Sequence, residues 1–125
     1  GTRFVACKES SAHENFKNMV LKAKEGDTRL TLKEITPVRM MKNKFFQEVE
    51  ELYKTSPSKE QLLNKLGRGR AKLGMFEGDL EAGELEIGQA SSQINRVFTA
   101  QEIVQQIMTE FNSIKSQMSI ANKFN

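Results

Sequence analysis

The chain has 125 residues, which is enough for one small domain but too short for a complete (β/α)8 barrel of roughly 250 residues. With 38% hydrophobic and 28% charged residues, it lacks an apolar run that could cross a membrane, and its apolar residues recur at helical spacing, which is atypical of disorder. The net charge of +3 is spread along the chain beside many glutamates, so no nucleic-acid partner is predicted. The chain has a single cysteine, which excludes an internal disulfide.

The first predicted helix follows a capping box formed by Ser11 and Glu14. Its apolar face has the spacing i, i+3, i+4, i+7, at Phe16, Met19, Val20 and Ala23. Gly26 is predicted to end this helix. The alternation of apolar and polar residues from Thr28 to Ile35 then predicts a short strand.

Two further helices are predicted before residue 67. Thr36 and Pro37 are typical of an N-cap and a first helical residue, and the buried stripe of that helix is predicted at Val38, Met41, Phe45, Val49 and Leu52. Ser58 and Gln61 form a second capping box, followed by an apolar face at Leu62, Leu63 and Leu66.

Residues 67–88 hold six of the eight glycines and are predicted to form a winding loop. The acidic residues of this loop lack the spacing of a calcium-binding loop, so no metal site is predicted. Thr99 and Glu102 form a third capping box, and a long amphipathic helix follows, with a core stripe at Ile103, Ile107, Phe111, Ile114, Met118 and Ala121. The predicted fold class is therefore mainly α, with about four helices, one short strand and a glycine-rich loop.

Few residues could carry chemistry. His13 is the only histidine, so no Ser/His/Asp set is available, and we expect a helix-start residue there. Cys7 lies in an apolar run and is predicted to be a small buried side chain. Gly1 and Thr2 precede a helical segment, where backbone N–H groups bind phosphate well, although an arbitrary chain start would give the same residues.

Three stretches of the chain resemble one known family, in the family's order: "GTRFVACKESSAHENFK" (1–17), "TPVRMMKNKF" (36–45) and "FEGDLEAGELEIGQ" (76–89). They are similar to the C-terminal portion of the FMN-dependent nitronate monooxygenases, formerly 2-nitropropane dioxygenases, a family that includes enoyl-acyl-carrier-protein reductase II. The resemblance covers essentially the whole chain. It implies that the chain begins at the exit of the last strand of a TIM barrel and that most of this α/β barrel is absent from it.

The resemblance also implies a division of the chain and a set of site residues. Residues 1–26 would be the end of the last barrel strand and the closing barrel helix, residues 27–98 a smaller helical cap domain, and residues 99–125 a C-terminal amphipathic helix. Gly1 and Thr2 would bind the cofactor: their backbone N–H groups and the Thr2 hydroxyl would hold the FMN phosphate. Gly88 and Gln89 would lie near the substrate; the alternative is that they only form a tight loop. Arg3 is expected in a structural ion pair.

The functional expectation follows from the same resemblance. The family's catalytic histidine lies upstream, so no catalytic residue is expected in this chain, which alone should be inactive. The complete protein is expected to use FMN, with NADH or NADPH as reductant, and to oxidise alkyl nitronates or reduce an acceptor. Enoyl-acyl-carrier-protein reductase II is the first alternative, and a non-enzymatic helical interaction module is the second. Expected partners are a small-molecule substrate, the remainder of the barrel and a second copy in a homodimer. The protein is expected in the cytoplasm, with no membrane association.

Overall fold

A computed structural model describes the backbone of residues 1–121 and the side chains as far as Met118. Its elements are α1 (Thr2–Val5), α2 (Glu14–Lys22), β1 (Thr28–Thr31), β2 (Val38–Met41), α3 (Lys44–Tyr53), α4 (Lys59–Leu66), α5 (Arg70–Met75), a 3-10 turn (Gln89–Gln93) and α6 (Ala100–Ala121). Residues 1–121 are mainly helical, as predicted, but they form six α-helices where about four were expected and two strands where one was expected. Residues 122–125, the end of the predicted C-terminal segment, lie outside the described residues.

The two strands form an antiparallel hairpin in which Thr28 pairs with Met41 and Thr31 with Val38. The predicted helix start at Thr36 and Pro37 is therefore wrong. Backbone pairing explains the error, because residues 38–41 are hydrogen-bonded on both sides, to β1 and to the segment before Gly88. Such pairing overrides a local helix signal.

The helix α3 starts later than predicted, at an N-cap residue that the sequence reading did not single out. The Asn43 side chain accepts a hydrogen bond from the Phe46 N–H at 2.9 Å. One of the two hydrophobic clusters then packs α3 and α4 against the hairpin, with the buried residues Leu32, Met40, Phe45, Phe46, Val49 and Leu62. The capping box of Ser58 and Gln61 is confirmed, although Leu63 on the predicted apolar face is exposed.

The predicted capping box of Ser11 and Glu14 is wrong, because His13 takes the N-cap position of α2. Its Nδ1 accepts the backbone N–H of Asn15 at 3.1 Å, which satisfies one of the free donors at the helix start. The helix ends at Lys22, before the predicted stop at Gly26. It packs in the second cluster, whose buried residues are Ala6, Ala12, Phe16, Val20, Met41, Leu85, Ile87 and Ile94.

The glycine-rich region is a loop only in part, since it contains α5. Two of its glycines pack backbone against backbone: a Cβ added at Gly83 would overlap the main chain of Gly74. The Asn43 side chain fixes the same loop by donating to the carbonyl oxygens of Leu80 at 2.9 Å and Gly83 at 2.8 Å. Close approach of the chain to itself therefore accounts for these glycines.

The capping box at the start of α6 is confirmed. The Thr99 N–H donates to the Glu102 carboxylate at 2.7 Å, and the Glu102 N–H donates to the Thr99 hydroxyl at 3.1 Å. The predicted core stripe is wrong for most of the helix, because Ile103 is buried but Ile107, Phe111, Ile114 and Met118 are exposed. The side chain of Ala121, the last residue of that stripe, lies outside the described residues. The N-terminal end of α6 contacts α1, where Arg3 donates a hydrogen bond to the Gln106 side chain. No helix among residues 1–121 is long and apolar enough to span a membrane.

Candidate functional site

The first candidate residues, Gly1 and Thr2, stand at the start of the short helix α1. Gly1 is the N-cap residue, and the space that a Cβ there would occupy is open. The N–H groups of Thr2 and Arg3 have no acceptor within the helix, as holds for the first residues of any helix. The chain therefore presents backbone donors beside an uncrowded glycine, which suits an anionic group.

The structure brings the two predicted site pairs together. The Gly88 N–H donates to the Thr2 hydroxyl oxygen at 3.1 Å, across 86 positions of the chain. A Cβ added at Gly88 would lie 2.5 Å from that oxygen, so only glycine allows this approach. Gly88 thereby orients the Thr2 hydroxyl, which keeps its own proton to donate elsewhere.

The segment before Gly88 reaches this position by pairing with β2. Met41 donates its N–H to the Leu85 carbonyl at 2.9 Å, and Ile87 donates to the Arg39 carbonyl at 3.1 Å. Leu85 and Ile87 are buried in the cluster that also holds α2, so the segment acts as an irregular third strand. This segment places Gly88 beside Thr2 and leads into the 3-10 turn, which packs on α1 and α2.

Gln89, the other substrate-side residue, is exposed in the first position of that turn. Among the described residues its side-chain amide has no hydrogen-bond partner; only its main-chain oxygen accepts a bond, from the Ser92 hydroxyl at 3.4 Å. It lines an open cavity of about 570 Å³ whose other lining residues include Lys24, Thr28 and Gln93. The amide is thus available to an outside group. The assignments of Gly1, Thr2, Gly88 and Gln89 to cofactor and substrate stay predictions.

Arg3 does not form the expected ion pair. Its guanidinium instead donates a hydrogen bond to the side-chain oxygen of Gln106, which ties α1 to α6. The Ala100 N–H, which donates to the Glu9 carboxylate at 2.9 Å, and the buried Ile103 hold the same end of α6.

His13 and Cys7 have the structural roles expected of them. The His13 ring caps α2 and lies against Gly78, where an added Cβ would overlap it. Cys7 is buried. Among the described residues, no group of three histidine, cysteine, aspartate or glutamate side chains could hold a metal ion.

One residue near the site was not singled out from the sequence. Glu84 is buried within the segment that leads to Gly88, with only 5% of its surface exposed. Burial, and then the nearby Glu86 carboxylate, raise the pKa of Glu84 to about 7, while Arg70 acts in the opposite direction. The local sequence, with acidic residues at positions 79, 81, 84 and 86, gives no sign of which one is buried.

Replacing Glu84 with glutamine is expected to stabilise the complete protein above neutral pH. The folded state binds the Glu84 proton more tightly than the unfolded state, so stability falls as pH rises from about 4.5 to about 7. Glutamine removes this loss, and we expect a gain of about 1–3 kcal/mol at pH 8 and little change at pH 4. Chemical denaturation at both pH values measures it, with Glu81→Gln on the exposed part of the same loop as control. An equal effect of Glu84→Gln at both pH values would contradict the assignment.

Comparison with known proteins adds a family and a fold. A family profile described as nitronate monooxygenase matches residues 1–110. No curated protein matches the chain. Among solved structures, the chain is similar to FabK from Thermotoga maritima, with 30% identity and a TM-score of 0.84 over 95% of this chain and 38% of that one. A point mutant of the same FabK matches with 29% identity and a TM-score of 0.77 over 95% of this chain and 35% of that one.

These matches confirm the expected fold class. The chain spans little more than a third of the FabK chains that it matches, and FabK has a TIM-barrel fold. The mainly helical piece described above therefore corresponds to a part of such a protein.

Proposed function

Because the chain belongs to the nitronate monooxygenase family, we propose that it is the C-terminal part of an FMN-dependent oxidoreductase that oxidises alkyl nitronates. The match of residues 1–110 to the family is the observation that carries this proposal. The reaction is proposed for the whole protein, since the chain corresponds to 35–38% of its FabK neighbours. The proposed reductant for acceptor reduction is NADH or NADPH.

The residues at the start of α1 fit the phosphate of FMN. Gly1 leaves room for close approach, and the N–H groups of Thr2 and Arg3 are unpaired within the helix. The Thr2 hydroxyl is already oriented by the Gly88 N–H at 3.1 Å and can donate its proton to a phosphate oxygen. Redox chemistry in such an enzyme is supplied by the bound flavin, while the protein provides orientation and electrostatics.

The remaining candidate residues divide into positioning and contact roles. Gly88 holds the Thr2 hydroxyl in place and is a positioning residue. Gln89 follows it directly, and its free amide can both donate and accept a hydrogen bond with a nitro or carbonyl group. We assign His13 a structural role, since its Nδ1 caps α2 and its ring lies against Gly78.

A second candidate function is reduction of enoyl thioesters, as in enoyl-acyl-carrier-protein reductase II. It is favoured by the similarity to FabK, an enzyme of that type, at 29–30% identity. Both reactions use the same flavin, and the described residues fit either one. The choice therefore requires an assay.

The test is to purify the complete protein and assay it against both substrate classes. We expect FMN to copurify in about equimolar amount and nitronates to drive oxygen consumption. Enoyl-thioester-dependent oxidation of NADH or NADPH, without nitronate activity, would instead establish the second candidate. A protein that contains no flavin and binds none would contradict both and favour the non-enzymatic interaction module.

A further inference from the structure

The Thr2 hydroxyl lies between the two halves of the proposed site. Its oxygen accepts a hydrogen bond from the Gly88 N–H at 3.1 Å, and Gln89 follows Gly88 directly in the chain. The Thr2 side chain is half-buried, and among the described residues its hydroxyl proton has no acceptor. A hydroxyl group can accept and donate at the same time, so the proton of Thr2 is left for a group outside the described chain.

The turn that carries Gln89 depends on this one hydrogen bond. Among the described residues, the bond from Gly88 to Thr2 is the only one that joins residues 88–93 to a distant part of the chain; the others stay within the turn or come from its neighbour Ile94. Ser91 is the buried residue of the turn, but its hydroxyl has no hydrogen-bond partner in the part of the chain that the structure describes. The position of Gln89 relative to α1 is therefore set by the Thr2 hydroxyl and by packing.

An anion at Thr2 would strengthen the same bond. When a hydroxyl donates to a phosphate oxygen, the hydrogen bond is charge-assisted and is roughly twice as strong as one between neutral groups. The O–H bond is then polarised, which makes the hydroxyl oxygen a better acceptor for the Gly88 N–H. The two bonds of the chain N–H···O–H···O⁻ therefore strengthen each other, whereas a water molecule at the same place polarises the hydroxyl less.

We propose that Thr2 is a positioning residue for Gln89 as well as a contact of the cofactor, so that binding of the FMN phosphate fixes the turn on the substrate side. This coupling rests on the proposed function, which supplies the phosphate at Thr2. Coupling between two sites is reciprocal, so a ligand that needs Gln89 in this position should tighten FMN binding by the same factor by which FMN tightens the binding of that ligand.

Hydrogen exchange on the complete protein, stripped of flavin, tests the coupling without an activity measurement. Three states are compared: the empty protein, the protein saturated with FMN, and the protein saturated with riboflavin, which has the same ring system but no phosphate. We expect FMN to slow exchange of the Gly88 amide about tenfold, and riboflavin to slow it by less than about twofold. The helix α3 packs in the other hydrophobic cluster, so its amides are the internal control for a general gain of stability.

Two variants at one position separate the hydroxyl from the rest of the side chain. Thr2→Ser keeps the oxygen and its proton, so FMN should protect the Gly88 amide as in the native protein. Thr2→Val keeps the shape without the hydroxyl, so FMN at saturating concentration should leave that amide within about twofold of its exchange rate in the empty variant.

The outcomes distinguish this coupling from the proposed function on which it rests. Equal protection of the Gly88 amide by FMN and riboflavin, or protection by FMN in Thr2→Val, would mean that the flavin ring covers the turn and that Thr2 does not position it. Full FMN binding without protection of that amide would also overturn the coupling, while the proposed function would stand. A native protein that binds no FMN would remove the proposed function itself, and the coupling with it.

Discussion

Replacing Thr2 with glutamate is expected to abolish FMN binding by the complete protein. A carboxylate there would stand among the donors that we assign to a phosphate dianion. Like charges about 4 Å apart repel by about 4 kcal/mol per unit charge at an effective dielectric constant of 20. We therefore expect binding to weaken by about a thousandfold or more, as measured by flavin content after purification and by fluorescence titration of the stripped protein.

Two conservative variants separate the charge from the loss of the hydroxyl. Thr2→Ser keeps the oxygen that accepts from Gly88 and should bind FMN within a few-fold of the native protein. Thr2→Val keeps the shape but leaves the Gly88 N–H without its acceptor, and we expect about tenfold weaker binding. If Thr2→Glu retained native flavin affinity, Thr2 would not belong to the phosphate site.

Local chemistry made some parts of this fold predictable from the sequence. The capping boxes at Ser58 and Thr99 were identified because both partners lie within three residues of each other and nothing distant competes. The prediction of a capping box at Ser11 was wrong for an equally local reason. His13 also has a side-chain acceptor, and it stands one residue before the observed helix start, where the cap is needed.

Long-range pairing made the region around β2 unpredictable. Residues 38–52 carry apolar residues at helical spacing, and Pro37 is typical of a helix start. Met40 and Met41 are nevertheless buried in different clusters, because successive side chains of a strand point to opposite faces and each face of β2 packs in one cluster. A strand buried in this way has no alternation to reveal it.

The geometry of the candidate site was not predictable from the sequence. Gly1, Thr2, Gly88 and Gln89 came from a family resemblance, and neither spacing nor composition places residues 2 and 88 in contact. Gly88 approaches the Thr2 side chain, which lies 86 positions away and which no local pattern predicts. The buried Glu84 escaped notice because its burial depends on how segment 84–87 lies against β2.

Replacing Gln89 with alanine is expected to lower turnover while leaving FMN bound. The phosphate donors that we propose are at Thr2 and Arg3, so removal of the Gln89 amide should not alter flavin content. Loss of one substrate hydrogen bond worth about 1.5–3 kcal/mol would lower turnover by about ten- to a hundredfold.

The structure supplies a way to separate this effect from a loss of stability. Among the described residues the Gln89 side chain makes no hydrogen bond and is exposed, so its truncation should leave the melting temperature within about 1 °C of native. Gln47→Ala, at an exposed glutamine on α3, is the matched control and should change neither quantity. Turnover per bound flavin and melting temperature are measured on the same preparation. A lower melting temperature with unchanged turnover per flavin would make Gln89 a loop residue, and the substrate contact would then have to come from elsewhere in the protein.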